Sequence, residues 1–411
     1  SVQPAWVIVA PPDYAPMQKS VRTMWDLMRD TAIKAGFLPQ PPLPSFTLDL
    51  LPIFERLTNL QWVNAGFASA FGFGGPFNVA TSEWVRKLSD PGPAYRGMRK
   101  ILANQFRDFA RDSVSPLPFP WLYGDAMSMP PAKSPRQHAS LTDTQMRFLR
   151  QWAAGEFIPD YHPDYQRPRH IDEVSPEQQP DMLTRAAMEF CLADAFHPGC
   201  EMPWIMRASG MYMAPFRLKH APPNSREPSY GIHLTSEETR IPGGPLNRGQ
   251  VPGGITRWMA IPWQADAASC RSGYDKTYDP YLPTFWPARV PNQVMSEADY
   301  NTVMDTSRDL GQRLQAFANR ANWFAPLGLD KPYLHQLNHM IHHFAEMGIV
   351  EVRPGVPDDP TFPATMQVQD YKPAAADESQ PGAAWHGAAE KRVEPADEID
   401  LTQIEKVHRF Q

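Results

Sequence analysis

Cysteine is scarce: the chain of 411 residues has three, Cys191, Cys200 and Cys270. An odd count leaves at least one unpaired and no CxxC pair occurs, so neither a disulfide framework nor a cysteine-based zinc site is expected, and the redox compartment stays open. CxxCH, the haem-attachment motif, is also missing. Apolar runs are short; none approaches the roughly eighteen residues a membrane-spanning helix requires, which excludes a helical span. Basic blocks are absent too. Thirty-nine Lys and Arg against 45 Asp and Glu give a formal charge of -6, and without a cluster that neutralises phosphates, nucleic acid is excluded as a partner. The opening SVQPAWVIVA lacks an initiator Met, a basic n-region and a long apolar h-region, so it is not an intact secretory signal. The expectation is a soluble protein, cytoplasmic or exported, from which an upstream piece has been removed.

Proline, by contrast, is abundant, with 46 residues. It clusters in PQPPLP (39–44), SPLPFP (115–120) and MPPAKSP (129–135), where its fixed φ and missing donor interrupt helices. The reading is an α+β fold, mainly α-helical, with long Pro-rich irregular loops and a few short strands. Apolar spacing predicts a helix over 17–36. Thr142 followed by Gln145 forms a capping box for a helix that Gly155 ends. The S-x-x-D pattern at Ser296 and Asp299 starts what reads as one long helix through residue 324. Pro332 and Gly348 bracket another. WVIVA (6–10) and YGIHLT (230–235) read as strands. Residues 1–371 are expected to form one catalytic domain. Residues 372–411 form an acidic Ala/Pro-rich tail too poor in large apolar side chains to fold alone, either disordered or an arm lying on another surface.

One stretch gathers unusual chemistry. Pro262 can open a helix, and the Ala-rich QADAAS after it is a good helix former. On that turn Asp266 and Cys270 are four apart, hence on one face. Gly273, Pro280 and Pro283 then permit a reversal that returns Trp286 toward the thiol. Taken alone, each residue also has a plain structural reading: a buried thiol, a helix-terminal carboxylate, a core indole.

GGITRWMAIPWQADAASCRS (253–272), YLPTFWPARVPNQV (281–294), FHPGCEMPWIMR (196–207) and WVIVAPPDYAP (6–16) together resemble the lysine ε-oxidase and glycine oxidase family of cysteine tryptophylquinone proteins. The resemblance implies that Cys270 and Trp286 are joined by a thioether and the indole oxidised to an ortho-quinone, the site spanning 253–294. It implies an oxidase of a primary amine or amino acid: the amine condenses with a quinone carbonyl to a Schiff base, Asp266 removes the proton from the carbon bearing nitrogen, and O2 reoxidises the reduced ring. Hydrogen peroxide, ammonia and an aldehyde or oxo acid result. Asp266 matches an aspartate that also serves to build the quinone. Cys200 matches a position facing the quinone, and Tyr14 an aromatic that gates the pocket; a structural thiol and a core aromatic are the competing readings. The resemblance further implies a companion chain carrying a β-rich N-terminal half, a flavoprotein that installs oxygen on the tryptophan, and a higher oligomer.

His197 and Glu201 flank Cys200, where they can orient water or substrate. Arg207 and Arg289 are candidate clamps for a substrate carboxylate. A separate constellation, His335, His339 and His342 at i, i+4 and i+7, with His343 adjacent and Glu346 one turn on, offers an alternative zinc or copper enzyme, although HQLNH lacks the internal Glu of HExxH. A third reading is a quinone-free scaffold.

Overall fold

The computed structural model describes residues 5–8, 12–79, 81–108, 141–191, 202, 205–258, 262–265, 267, 290–328 and 331–371. The chain divides after Tyr371 into Ser1–Tyr371 and Lys372–Gln411, and every described residue lies in the first part.

Helices begin where a side chain can satisfy the free N–H groups of the first turn. Thr23 accepts from the Asp26 N–H while the Asp26 carboxylate accepts from the Thr23 N–H, so α1 (Met24–Lys34) starts at a capping box. The expected start at residue 17 was too early, because the lead-in turns back through Gln18 N–H to Ala15 O. Four helices follow: α2 (Leu51–Asn59), α3 (Ala65–Phe71), α4 (Ser82–Leu88) and α5 (Arg96–Gln105). The box at Thr142 and Gln145 forms as expected and opens α6 (Asp143–Ala154), which Gly155 closes at φ 93°. Next comes α7 (Gln179–Glu189).

The predicted long helix after Ser296 is instead two, α8 (Glu297–Met304) and α9 (Leu310–Ala318). Ser296 caps α8 as its motif requires. Apolar periodicity then runs on, but Asp305 accepts from the Ser307 N–H and Asp309 caps α9 through the Gln312 N–H. These aspartates offer the backbone a local partner that competes with the helical one. The last helix is α10 (Tyr333–His343), entered at Pro332 and followed by a tight turn at Phe344–Glu346, with Gly348 at φ 76°.

Sheet is confined to antiparallel pairs among the described residues: β1 (Tyr212–Ala214) with β2 (Arg217–Leu218), β3 (Gln293–Val294) with β4 (Ala321–Asn322), and β5 (Val350–Pro354) with β6 (Thr365–Gln369). Neither predicted strand forms at its described residues. Trp6 is held by its indole N–H on Phe216 O at 2.9 Å, leaving Val7 88% exposed, and Ile232 lies fully in solvent beside Gly231 at φ 81°. Both segments have strand-forming side chains but no neighbouring strand among the described residues. Between Leu218 and Thr256, where Pro222, Pro223, Pro228, Pro242, Pro245 and Pro252 recur, no helix forms. The architecture is thus mainly helical α+β.

The main core packs α2 against α5 and α6. Phe54 and Trp152 meet at 4.9 Å, and the Trp152 indole donates to Leu88 O at 3.0 Å. Burying each such ring contributes about 1.5–3 kcal/mol. The buried Arg99 guanidinium donates to the carbonyls of Trp152 and Pro91, so its charge is met by backbone oxygens inside the core. This core also reaches Tyr14, Ala267, Val290, Trp323, Met340 and Val350.

Candidate active site

Pro262 opens a helical turn as its sequence predicts: Ala265 N–H donates to Pro262 O at 3.1 Å, and residues 263–265 and 267 are helical. Trp263 and Ala267, four apart, share a face. Ala267 is fully buried in the main core and Trp263 packs half-buried against it. Val290, also buried, enters the same core from the far side of the segment. The two residues that flank 268–289 in sequence are therefore both anchored in the main core. Asp266, Cys270, Trp286, Arg289, His197, Cys200 and Glu201 lie outside the described residues.

Against this turn stands an aromatic wall. Phe344 meets Trp263 edge-on with ring centroids 5.3 Å apart. Its carbonyl accepts the Tyr14 hydroxyl at 2.8 Å. Tyr14 lies 4.6 Å from Trp323, whose indole N–H donates to Gly348 O at 3.3 Å, and Trp323 in turn meets Phe324 edge-on at 5.0 Å. Tyr14 is buried, and burial pushes its phenol above the ordinary range because the phenolate would lose its water. At neutral pH it is a neutral donor. Of the predicted site residues, Tyr14 is thus placed in the wall, with its hydroxyl already committed. Trp323 and Phe344 carried no motif signal; Trp263 lies inside the block 253–272 but was not singled out there.

Arg207 is placed elsewhere. It lines a cavity of about 280 Å³ with Arg22, Asp30, Lys34 and Asp143, and none of the wall residues borders that space among the described residues. Lys34 there bridges Asp30 and Asp143 at 2.7 Å each.

The histidines of α10 form a column, in a different register from the one predicted. The rings that meet are His335 with His339, at 5.7 Å, and His339 with His343, at 4.4 Å. The ring contacts follow the i, i+4 and i+8 row, through His343, the residue adjacent to His342. His343 Nδ1 lies 3.2 Å from Glu346 Oε1. Desolvation first, and then the neighbouring charge of His343, lowers the pKa of His339, against a raising hydrogen bond with the Leu327 carbonyl. No group of three or more metal-ligating side chains is assembled among the described residues.

Three comparisons bear on the site. Residues 123–286, a span ending on Trp286, match the family described as the L-lysine epsilon oxidase C-terminal domain. The chain is 26% identical over 302 residues to L-lysine 6-oxidase of Marinomonas mediterranea, a match covering 65% of this chain and 38% of that protein. Crystal structures of the L-Lys epsilon-oxidase of Marinomonas mediterranea share the fold at 18% identity. The one of the Schiff base intermediate with L-Lys superposes with a TM-score of 0.51 and another with 0.50, each covering 88% of this chain and 59% of the other. The chain thus spans well under two thirds of these relatives' length. Residues 123–286 are thus similar to the C-terminal domain of the L-lysine ε-oxidase family.

Proposed function

We propose that this chain supplies the catalytic part of an oxidase of a primary amine or amino acid, with a cysteine tryptophylquinone made from Cys270 and Trp286. The observation that supports the reading is the burial in the main core of both Ala267 and Val290, the residues that flank the thiol and the indole in sequence. Those two residue types are the ones such a group needs, and the family match ends on the indole. The quinone, once formed, supplies a carbonyl electrophile and a two-electron sink.

The rest is work for this chain's own residues. Asp266, four residues after Pro262 in sequence, accepts the proton from the substrate carbon bearing nitrogen. A carboxylate there must be partly desolvated to serve as a base at neutral pH. Cys200 faces the reacting group, with His197 orienting water or substrate beside it. Tyr14, neutral and with its O–H turned to Phe344 O, closes one side of the pocket as an apolar wall and keeps bulk water from the substrate carbon. Two electrons and two protons pass to O2, giving hydrogen peroxide, while water hydrolyses the oxidised amine to ammonia and an aldehyde or oxo acid. The proposal includes the companion chain for the part of the relatives' length that this chain does not span, the maturation flavoprotein and a higher oligomer.

A panel of primary amines, with glycine, L-lysine and larger amino acids, tests this on protein purified from its native host. Catalytic peroxide release with at least one of them is expected. Protein that carries the quinone yet releases peroxide with none contradicts the oxidase.

A further inference from the structure

Tyr14, Trp263 and Phe344 come from three distant parts of the sequence, yet Phe344 holds both of the others with different atoms. It follows directly on α10, where the last carbonyls have no intrahelical donor. The Tyr14 hydroxyl supplies one, to Phe344 O at 2.8 Å. The phenyl ring meanwhile meets the Trp263 indole edge-on at 5.3 Å. The chain after Phe344 grips Tyr14 again: Val350 N–H donates to Tyr14 O at 2.8 Å, and Gly348 O takes the indole N–H of Trp323, the ring packed on Tyr14. Gly348 sits at φ 76°, and a Cβ there would lie 2.9 Å from the Tyr371 nitrogen, so this stretch is fitted closely to its surroundings.

We propose that Phe344 is a positioning residue, coupling Tyr14 to Trp263 and so fixing the helical turn of residues 263–265, which directly precedes Asp266 in sequence. This rests on the reading of Asp266 as the proton acceptor. The first turn of a helix has little rigidity of its own, because its first hydrogen bonds do not repay the ordering they demand. Its orientation must come from side chains anchored elsewhere. Among the described residues of the turn, Ala267 is buried but presents one methyl group, and Trp263, on the same face, is the long lever that packs against the core. Phe344 holds that lever. A base that abstracts a proton has to be kept within about 0.5 Å of its working place, so loosening the lever falls on the chemical step rather than on binding.

The test uses the full chain labelled with 5-fluorotryptophan, the Trp263 resonance being assigned by Trp263→Phe. Phe344→Leu keeps the carbonyl and removes the aromatic edge; Phe344→Tyr keeps both; Tyr14→Phe removes the hydrogen bond but leaves Phe344 intact. The Trp263 resonance should move in Phe344→Leu and in Tyr14→Phe and stay in place in Phe344→Tyr. With the substrate found by the amine panel, Phe344→Leu should lower kcat about ten- to hundredfold with KM little changed, and Phe344→Tyr should restore it. A Trp263 resonance indifferent to Tyr14→Phe, or equal kcat losses in Phe344→Leu and Phe344→Tyr, overturns the coupling. Shifted resonances in a protein that oxidises no amine leave the coupling standing and remove its catalytic meaning along with the reading of Asp266.

Discussion

Asp266→Asn is expected to slow amine oxidation by about 10²- to 10⁴-fold, the range typical of a positioned general base, equivalent to about 3–5 kcal/mol in the barrier. The substitution keeps the size of the side chain and removes its capacity to take a proton, so substrate binding should change far less than turnover. Because the resemblance gives the same aspartate a part in building the quinone, the variant must be assayed per quinone formed, counted by mass. Two outcomes separate the roles. Full quinone content with the lost turnover marks the base. Loss of quinone in proportion to turnover marks a residue needed only for maturation. A variant retaining both quinone and most of its turnover removes Asp266 from the mechanism.

Arg56→Met is expected to cost about 3–5 kcal/mol of folding stability, measured by denaturant titration. Arg56 and Asp26 are both buried, and Arg56 Nη1 stands 2.6 Å from Asp26 Oδ2. The same carboxylate accepts from the Thr23 N–H at 2.9 Å and the Thr23 hydroxyl at 3.0 Å, so one group caps α1 and anchors α2. Removing the guanidinium strands a buried carboxylate, which costs more than the pair contributed. Replacing both partners, as Asp26→Asn with Arg56→Met, should therefore destabilise less than the single change at Arg56. Equal losses in the single and double variants would show that α2 depends on the packing of the Arg56 stem instead of on its charge.

These two sites also show what the sequence discloses. Capping is local, so the Thr142–Gln145 box and the Ser296 cap were legible from residues three apart. The opening of a helix at Pro262 was legible for the same reason. Periodicity alone misled after Met304, where Asp305 and Asp309 redirect backbone donors that apolar spacing ignores. It misled again for WVIVA and YGIHLT, since a strand needs a partner as well as a composition. The wall around the candidate site was hidden for a different reason. Its central contact joins residues 330 positions apart and uses the backbone carbonyl of Phe344, a group every residue possesses. No side-chain pattern can announce such a bond. The register of the histidine column was a matter of choosing between i+7 and i+8, which ring contact decides in favour of His343.

The central claim is the covalent union of Cys270 with Trp286, and peptide mapping of protein purified from its native host tests it most directly. The account predicts a single cross-linked species containing both residues, bearing two added oxygen atoms and lacking the hydrogens lost both to the thioether and to oxidation of the ring, with Cys270 resistant to alkylation. Two separate peptides, with Cys270 fully alkylated and Trp286 unmodified, would contradict it.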